Sequence, residues 1–112
     1  MHRFVRIDID RLDEYRQRLR SFVEVLKRTY PISRVILFGS FARGAEDVHE
    51  LSDIDLVVVG DVPGRFEERI GTIRDLTDLP IEPLVYSATE WSHMLADENS
   101  FLEEVVETGI DL

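Results

Sequence analysis

Leu56-Val57-Val58-Val59 is apolar at four consecutive positions. Alternate side chains of a strand leave opposite faces, so a strand without polar alternation needs cover on both sides. The run ends a segment, Asp53 to Val59, that reads as a strand. A chain of 112 residues has material for one core and too little for two. These facts point to one α/β domain over residues 1–112: a small mixed sheet with helices packed on it.

The flanking segments supply the other elements. Leu12, Tyr15, Leu19, Phe22, Val23 and Leu26 recur at helical spacing, with Asp10 as the expected cap and Pro31 as the stop. Arg34 to Phe38 reads as a strand ended by Gly39. Phe66, Ile70, Ile73 and Leu76 predict a second helix, and Ile81 to Tyr86 a third strand, placed at a sheet edge because Pro83 cannot donate to a ladder. Ser87-Ala88-Thr89-Glu90 and Ser100-Phe101-Leu102-Glu103 have capping-box form and predict two more helices, the last ending at Gly109.

That order constrains topology. The helix between the second and third strands favours a parallel pair with a right-handed crossover. An antiparallel first pair then gathers Gly39-Ser40, Asp53, Asp55 and Glu82 at one rim of the sheet.

Composition narrows the partners. The net charge of −10 repels a phosphate backbone, so broad nucleic-acid binding is not expected. There is no cysteine, hence no disulfide and no thiolate chemistry. No apolar run approaches the ~20 residues that span a bilayer, and Met1 to Asp10 lacks the apolar stretch of a signal peptide. A cytoplasmic protein is expected.

Asp53 and Asp55, two apart on a strand, send both carboxylates to the same face, with Cα atoms roughly 6.6 Å apart. Such a pair suits Mg²⁺, which binds through one or two carboxylates, water and substrate phosphate. Gly39 lets backbone approach a ligand closely, the turn that follows suits a phosphate, and Ser40 can donate its hydroxyl to one. Arg43 either neutralises phosphate charge or pairs with an acid to hold its loop. Glu82 can share a metal or accept a proton. Plainer readings also stand: two solvated acids, an ordinary strand-to-helix turn, and a solvent-facing glutamate.

Together, Gly39-Ser40, Arg43-Gly44, Ser52-Asp53-Ile54-Asp55-Leu56-Val57-Val58 and the later Glu82 resemble the DNA polymerase β-type nucleotidyltransferase superfamily, more narrowly its minimal nucleotidyltransferases. The tail, with Glu82-Pro83-Leu84-Val85-Tyr86-Ser87, Glu90-Trp91, Asn99-Ser100-Phe101 and Gly109-Ile110, is similar too, so the resemblance covers roughly Ser33 to Leu112. It implies the nucleotidyltransferase fold and transfer of a nucleoside monophosphate, AMP from ATP, to a hydroxyl. By the same resemblance Asp53, Asp55 and Glu82 are catalytic and hold one or two Mg²⁺ ions, while Gly39, Ser40 and Arg43 bind the nucleotide. It also implies a helical HEPN-domain partner whose tyrosine accepts the AMP, as in a toxin–antitoxin pair. The alternative is a domain that binds nucleotide or that partner without chemistry. The oligomeric state stays open.

His2, His49 and His93 show no ligand spacing and are expected to be exposed. Trp91 and Phe101 lie on apolar helix faces and are expected in the core rather than as platforms for stacked bases. Arg16, Arg18 and Arg20, like Glu103, Glu104 and Glu107, read as solvated helix faces.

Overall fold

A computed structural model describes residues 8–49 and 52–112. The expectations for His2 and for residues 1–7 lie outside the described residues.

Helix α1 (Leu12–Thr29) buries Leu12, Leu19, Phe22, Val23 and Leu26. Its start differs from expectation. Asp10 falls in a preceding 3-10 turn, Ile9–Arg11, where the Asp8 carboxylate accepts from the Asp10 N–H at 3.1 Å. Asp10 is thus itself capped, and α1 opens with Arg11 at its N-cap. At the far end Tyr30 is extended, as the residue before a proline prefers, and Pro31 follows.

Four strands form one sheet: β1 (Ile32–Phe38), β2 (Ile54–Gly60), β3 (Ile81–Tyr86) and β4 (Ile110–Asp111), in the order β3-β2-β1-β4. As anticipated, β1 and β2 are antiparallel, β2 and β3 are parallel, and β3 forms an edge. The crossover between β2 and β3 carries α3 (Phe66–Arg74). Strand β4 is additional to the expectation. It pairs antiparallel with β1 and is anchored by an Arg34–Asp111 ion pair at 2.9 Å and a Leu112 N–H to Val35 carbonyl bond at 2.9 Å.

The Leu56–Val59 run finds cover on both faces. Leu56 and Val58 join Val35, Leu37, Ile81 and Val85 under α1 and α3. Val57 and Val59 join Ile36 against Trp91, Leu102 and Val105. Those last three belong to α4 (Ala88–Ala96) and α5 (Ser100–Thr108). The capping box of α4 is present: Ser87 Oγ accepts from the Glu90 N–H and the Glu90 carboxylate from the Ser87 N–H. In α5 the cap is Asn99 rather than Ser100, since Asn99 Oδ1 accepts from the Leu102 N–H at 3.1 Å. Either residue type can cap, and the helix begins one residue earlier than the serine implied.

Arg69 of α3 ties this layer together. It donates to the Gly64 and Val85 carbonyls and forms an ion pair with Glu90 of α4 at 2.6 Å. Among the described residues no helix is long and apolar enough to cross a membrane.

Candidate active site

Strand register sets the site. Phe38 of β1 opposes Asp55 of β2, and Asp55 opposes Glu82 of β3. Residues opposite each other on neighbouring strands share a face, about 4.8 Å apart per strand. The row Phe38–Asp55–Glu82 therefore continues the face that Val57 and Val59 present to α4 and α5. Asp53, one residue ahead of β2, is exposed. The neighbouring Ile54 N–H bonds the Pro80 carbonyl at 2.9 Å, so β2 is paired from its first residue. Asp53 and Glu82 line one small recess of about 30 Å³, with Arg74 beside them.

Gly39 follows Phe38 directly. Its backbone, φ 72° and ψ −153°, lies in a region that side chains disfavour. A Cβ there would overlap Asp55 Oδ2. The glycine is needed twice, for its dihedrals and because the turn rests on the Asp55 carboxylate. From Gly39 the chain makes one helical turn, α2 (Ser40–Arg43), with the Ala42 and Arg43 N–H groups bonded to the Gly39 carbonyl at 3.1 and 3.2 Å. Buried Phe41 anchors this turn in the core.

The charge balance at the rim is unfavourable in the bare protein. The Asp55 carboxyl is pushed up to about 6, first by burial and then by the negative charges of Asp53 and Glu82, with Arg43 acting in opposition. Glu82 has a cation of its own: Arg74 Nη2 meets Glu82 Oε2 at 2.5 Å. The Arg74 Nε is buried and makes no hydrogen bond. Arg43 pairs with Asp47 at 3.0 Å and thereby steadies its loop. After a 3-10 turn at Ala45–Asp47, buried Ser52 leads back towards the acids. It accepts from the His49 N–H and donates its own N–H to the His49 carbonyl. The exposure expected of His49 and His93 is observed.

Among the described residues no three Asp, Glu or His side chains form a ready cage for a metal. A hard divalent ion needs less protein than that, since one or two carboxylates are completed by water and substrate oxygen. Asp53 and Asp55 have that chemistry, and an ion between them would relieve the charge crowding on Asp55. The donor set fits Mg²⁺ bound together with a phosphate-bearing substrate. Glu82 is a full member only when it turns from Arg74.

A cleft of about 340 Å³ opens beside Gly39 and Arg43, with α5 as its other wall. Here an expectation is corrected. Trp91 is in the core at 7% exposure, whereas Phe101 is 40% exposed and stands in the cleft wall. The helix buries Leu102 and Val105, and Phe101 lies off that stripe. Arg74 was not singled out from sequence. Its place in the last turn of a helix leading into the Glu82 strand was the available signal.

A profile of the nucleotidyltransferase domain family matches residues 19–107. Three proteins of Methanocaldococcus jannaschii, each bearing the name "Putative protein adenylyltransferase", are similar. MJ0604 is 52% identical over 46 residues, 39% of this chain and 44% of that protein. MJ0141 is 36% identical over 87 residues, 72% of this chain and 79% of that protein. MJ1379 is 42% identical over 50 residues, 45% of this chain and 48% of that protein. The matches thus span less than half the length of two relatives and most of the third.

Proposed function

The chain belongs to the nucleotidyltransferase domain family, and on that premise we propose that it transfers AMP from Mg·ATP to a hydroxyl on a partner protein. The observation that carries this reading is the seating of the Gly39 turn on the Asp55 carboxylate, which sets the bend proposed for phosphate against the acid proposed for the cation. In the reaction the acceptor oxygen bonds to the α-phosphorus, the bond to the β-phosphate oxygen breaks, and pyrophosphate leaves. Gly39 and Ser40 hold the phosphates. Asp53 and Asp55 would hold Mg²⁺, which when bound would supply charge neutralisation at the transferring group. Glu82 completes the acidic edge and takes the proton of the attacking hydroxyl. Arg43 adds positive charge beside the phosphates. Most of the rate enhancement comes from positioning and charge compensation, as in phosphoryl transfer generally.

The partner we propose is a HEPN-domain protein whose tyrosine accepts AMP, with this chain as antitoxin of the pair, and the setting is the cytoplasm. The relatives' shared name, which concerns adenylyl transfer to protein, supports the donor and the acceptor class. The test is incubation with α-labelled ATP, Mg²⁺ and a purified HEPN-domain protein. Label should move to the partner and disappear in Asp53→Ala and Asp55→Ala. A folded pair that takes up no label refutes transfer.

One observation favours a second reading. Arg74 occupies the carboxylate of Glu82, as suits a domain that regulates its partner by binding alone. That reading requires partner binding without pyrophosphate release, and calorimetry paired with a pyrophosphate assay separates the two.

A further inference from the structure

Phe101 is an aromatic side chain left 40% exposed at the mouth of a cleft that also touches Gly39 and Arg43. Its ring is held in place. Phe38, the residue before Gly39, meets it edge-to-face, with centroids 5.6 Å apart and planes at 81°. Phe38 in turn opposes Asp55 across the β1–β2 pair. The row therefore runs from Glu82 through Asp55 to Phe38 and ends at an aromatic wall.

The cleft has two unlike walls. On the turn side stand Gly39 and Arg43. On the α5 side stand Phe101, Val105 and Glu104. A carboxylate disfavours phosphate on the α5 side, while an apolar ring favours a flat neutral group. The volume of about 340 Å³ lies at the small end of the range typical of ligand sites.

We propose that this cleft takes the nucleobase of the triphosphate, stacked on Phe101, while Phe38 fixes the plane of that ring. The proposal rests on the nucleotidyl-transfer reading above and adds to it the location of the base. Stacking is tolerant of base identity because every base has a π-face. The ring pair fixes where the sugar and α-phosphate fall relative to Asp55, so Phe101 is a binding residue at the end of the nucleotide remote from the chemistry.

The test is calorimetric titration of the full chain with Mg²⁺ and two ligands, a non-hydrolysable ATP analogue and inorganic tripolyphosphate. Wild type should bind the analogue more tightly than tripolyphosphate. Phe101→Ala and Phe101→Leu should weaken the analogue roughly 5- to 150-fold, the range that loss of one stacked base produces. Both should leave tripolyphosphate unchanged, and Phe101→Trp should restore the analogue. The leucine variant keeps an apolar side chain against Phe38, so the result does not depend on alanine folding well. Unchanged analogue affinity in the leucine and alanine variants overturns the proposal and leaves the transfer reading standing, with the cleft open to the acceptor side chain. An equal loss for both ligands overturns it as well. Failure of wild type to bind either ligand refutes both readings.

Discussion

The Gly39 backbone packs against the carboxylate of Asp55 so closely that a single added carbon at position 39 would collide with Oδ2. The turn and the acid are one mechanical unit. Gly39→Ala must both strain a backbone at φ 72° and displace the carboxylate. A loss of about 1–3 kcal/mol in stability is expected from the strain. Adenylyl transfer should fall about 10²-fold from misplacement on the scale of an ångström. Urea melts and label-transfer rates on the same preparation check both.

Asp55→Asn should have opposite effects on fold and activity. The native carboxyl is crowded by burial, Asp53 and Glu82, and its pKa rises from 3.8 to about 6. A raised folded pKa means that Asp55 stabilises the fold most at pH values below 3.8, and that this contribution is lost as pH rises through about 6. Without divalent ions at pH 8, the asparagine variant should be more stable than wild type by about 1–2 kcal/mol, allowing for solvent screening. The advantage should shrink as pH is lowered towards 5, and transfer activity should be absent throughout. A variant that is less stable at pH 8 contradicts the crowding.

Arg74→Met removes the cation that holds Glu82 and keeps an apolar stem of similar length. The bare protein should lose about 1–2 kcal/mol, since Glu82 is left partly buried beside Asp55 without compensation. Mn²⁺ or Mg²⁺ should bind more tightly than to wild type, because Glu82 is released to the acid pair. Weaker ion binding in calorimetry would mean that Arg74 orients Glu82 instead of restraining it.

The Arg69–Glu90 pair predicts an acid-sensitive joint. Glu90 is lowered to about 2 by the Arg69 hydrogen bond first and the Ser87 N–H next. A lowered acid contributes stability above its unfolded value of 4.5, lost as pH falls from there towards 2. Glu90 is 44% exposed, so the discounted contribution is about 1 kcal/mol. Glu90→Gln should lower the melting temperature at pH 7 and match wild type near pH 2, as followed by circular dichroism.

The strands and their directions were legible because they follow from apolar patterning and one helical crossover. Leu56–Val59 demanded cover on both faces, and Pro83 marked an edge. The gathering of Asp55 and Glu82 followed from those directions. What was not legible depends on finer geometry. Strand β4 has two residues, too few for a periodic signal. The Arg74–Glu82 contact depends on where α3 ends and how the chain from Asp75 to Pro80 returns. Phe101 was misread because its helix carries four apolar residues on a wide arc. Leu102 and Val105 fill the sheet side, leaving Phe101 and Val106 each 40% exposed. A pattern of apolar residues reports that a face is buried and leaves open which residues lie at its margin.

Because Phe38, Asp55 and Glu82 sit on three strands joined by main-chain hydrogen bonds, the span from aromatic wall to outermost acid is two interstrand gaps, about 10 Å. Peptide geometry acts as the ruler, and no surface segment sets that length. Substitutions at exposed positions of the Ala45–Asp47 turn, away from buried Val48 and Ser52, should therefore leave the spacing of Phe38, Asp55 and Glu82 unaltered.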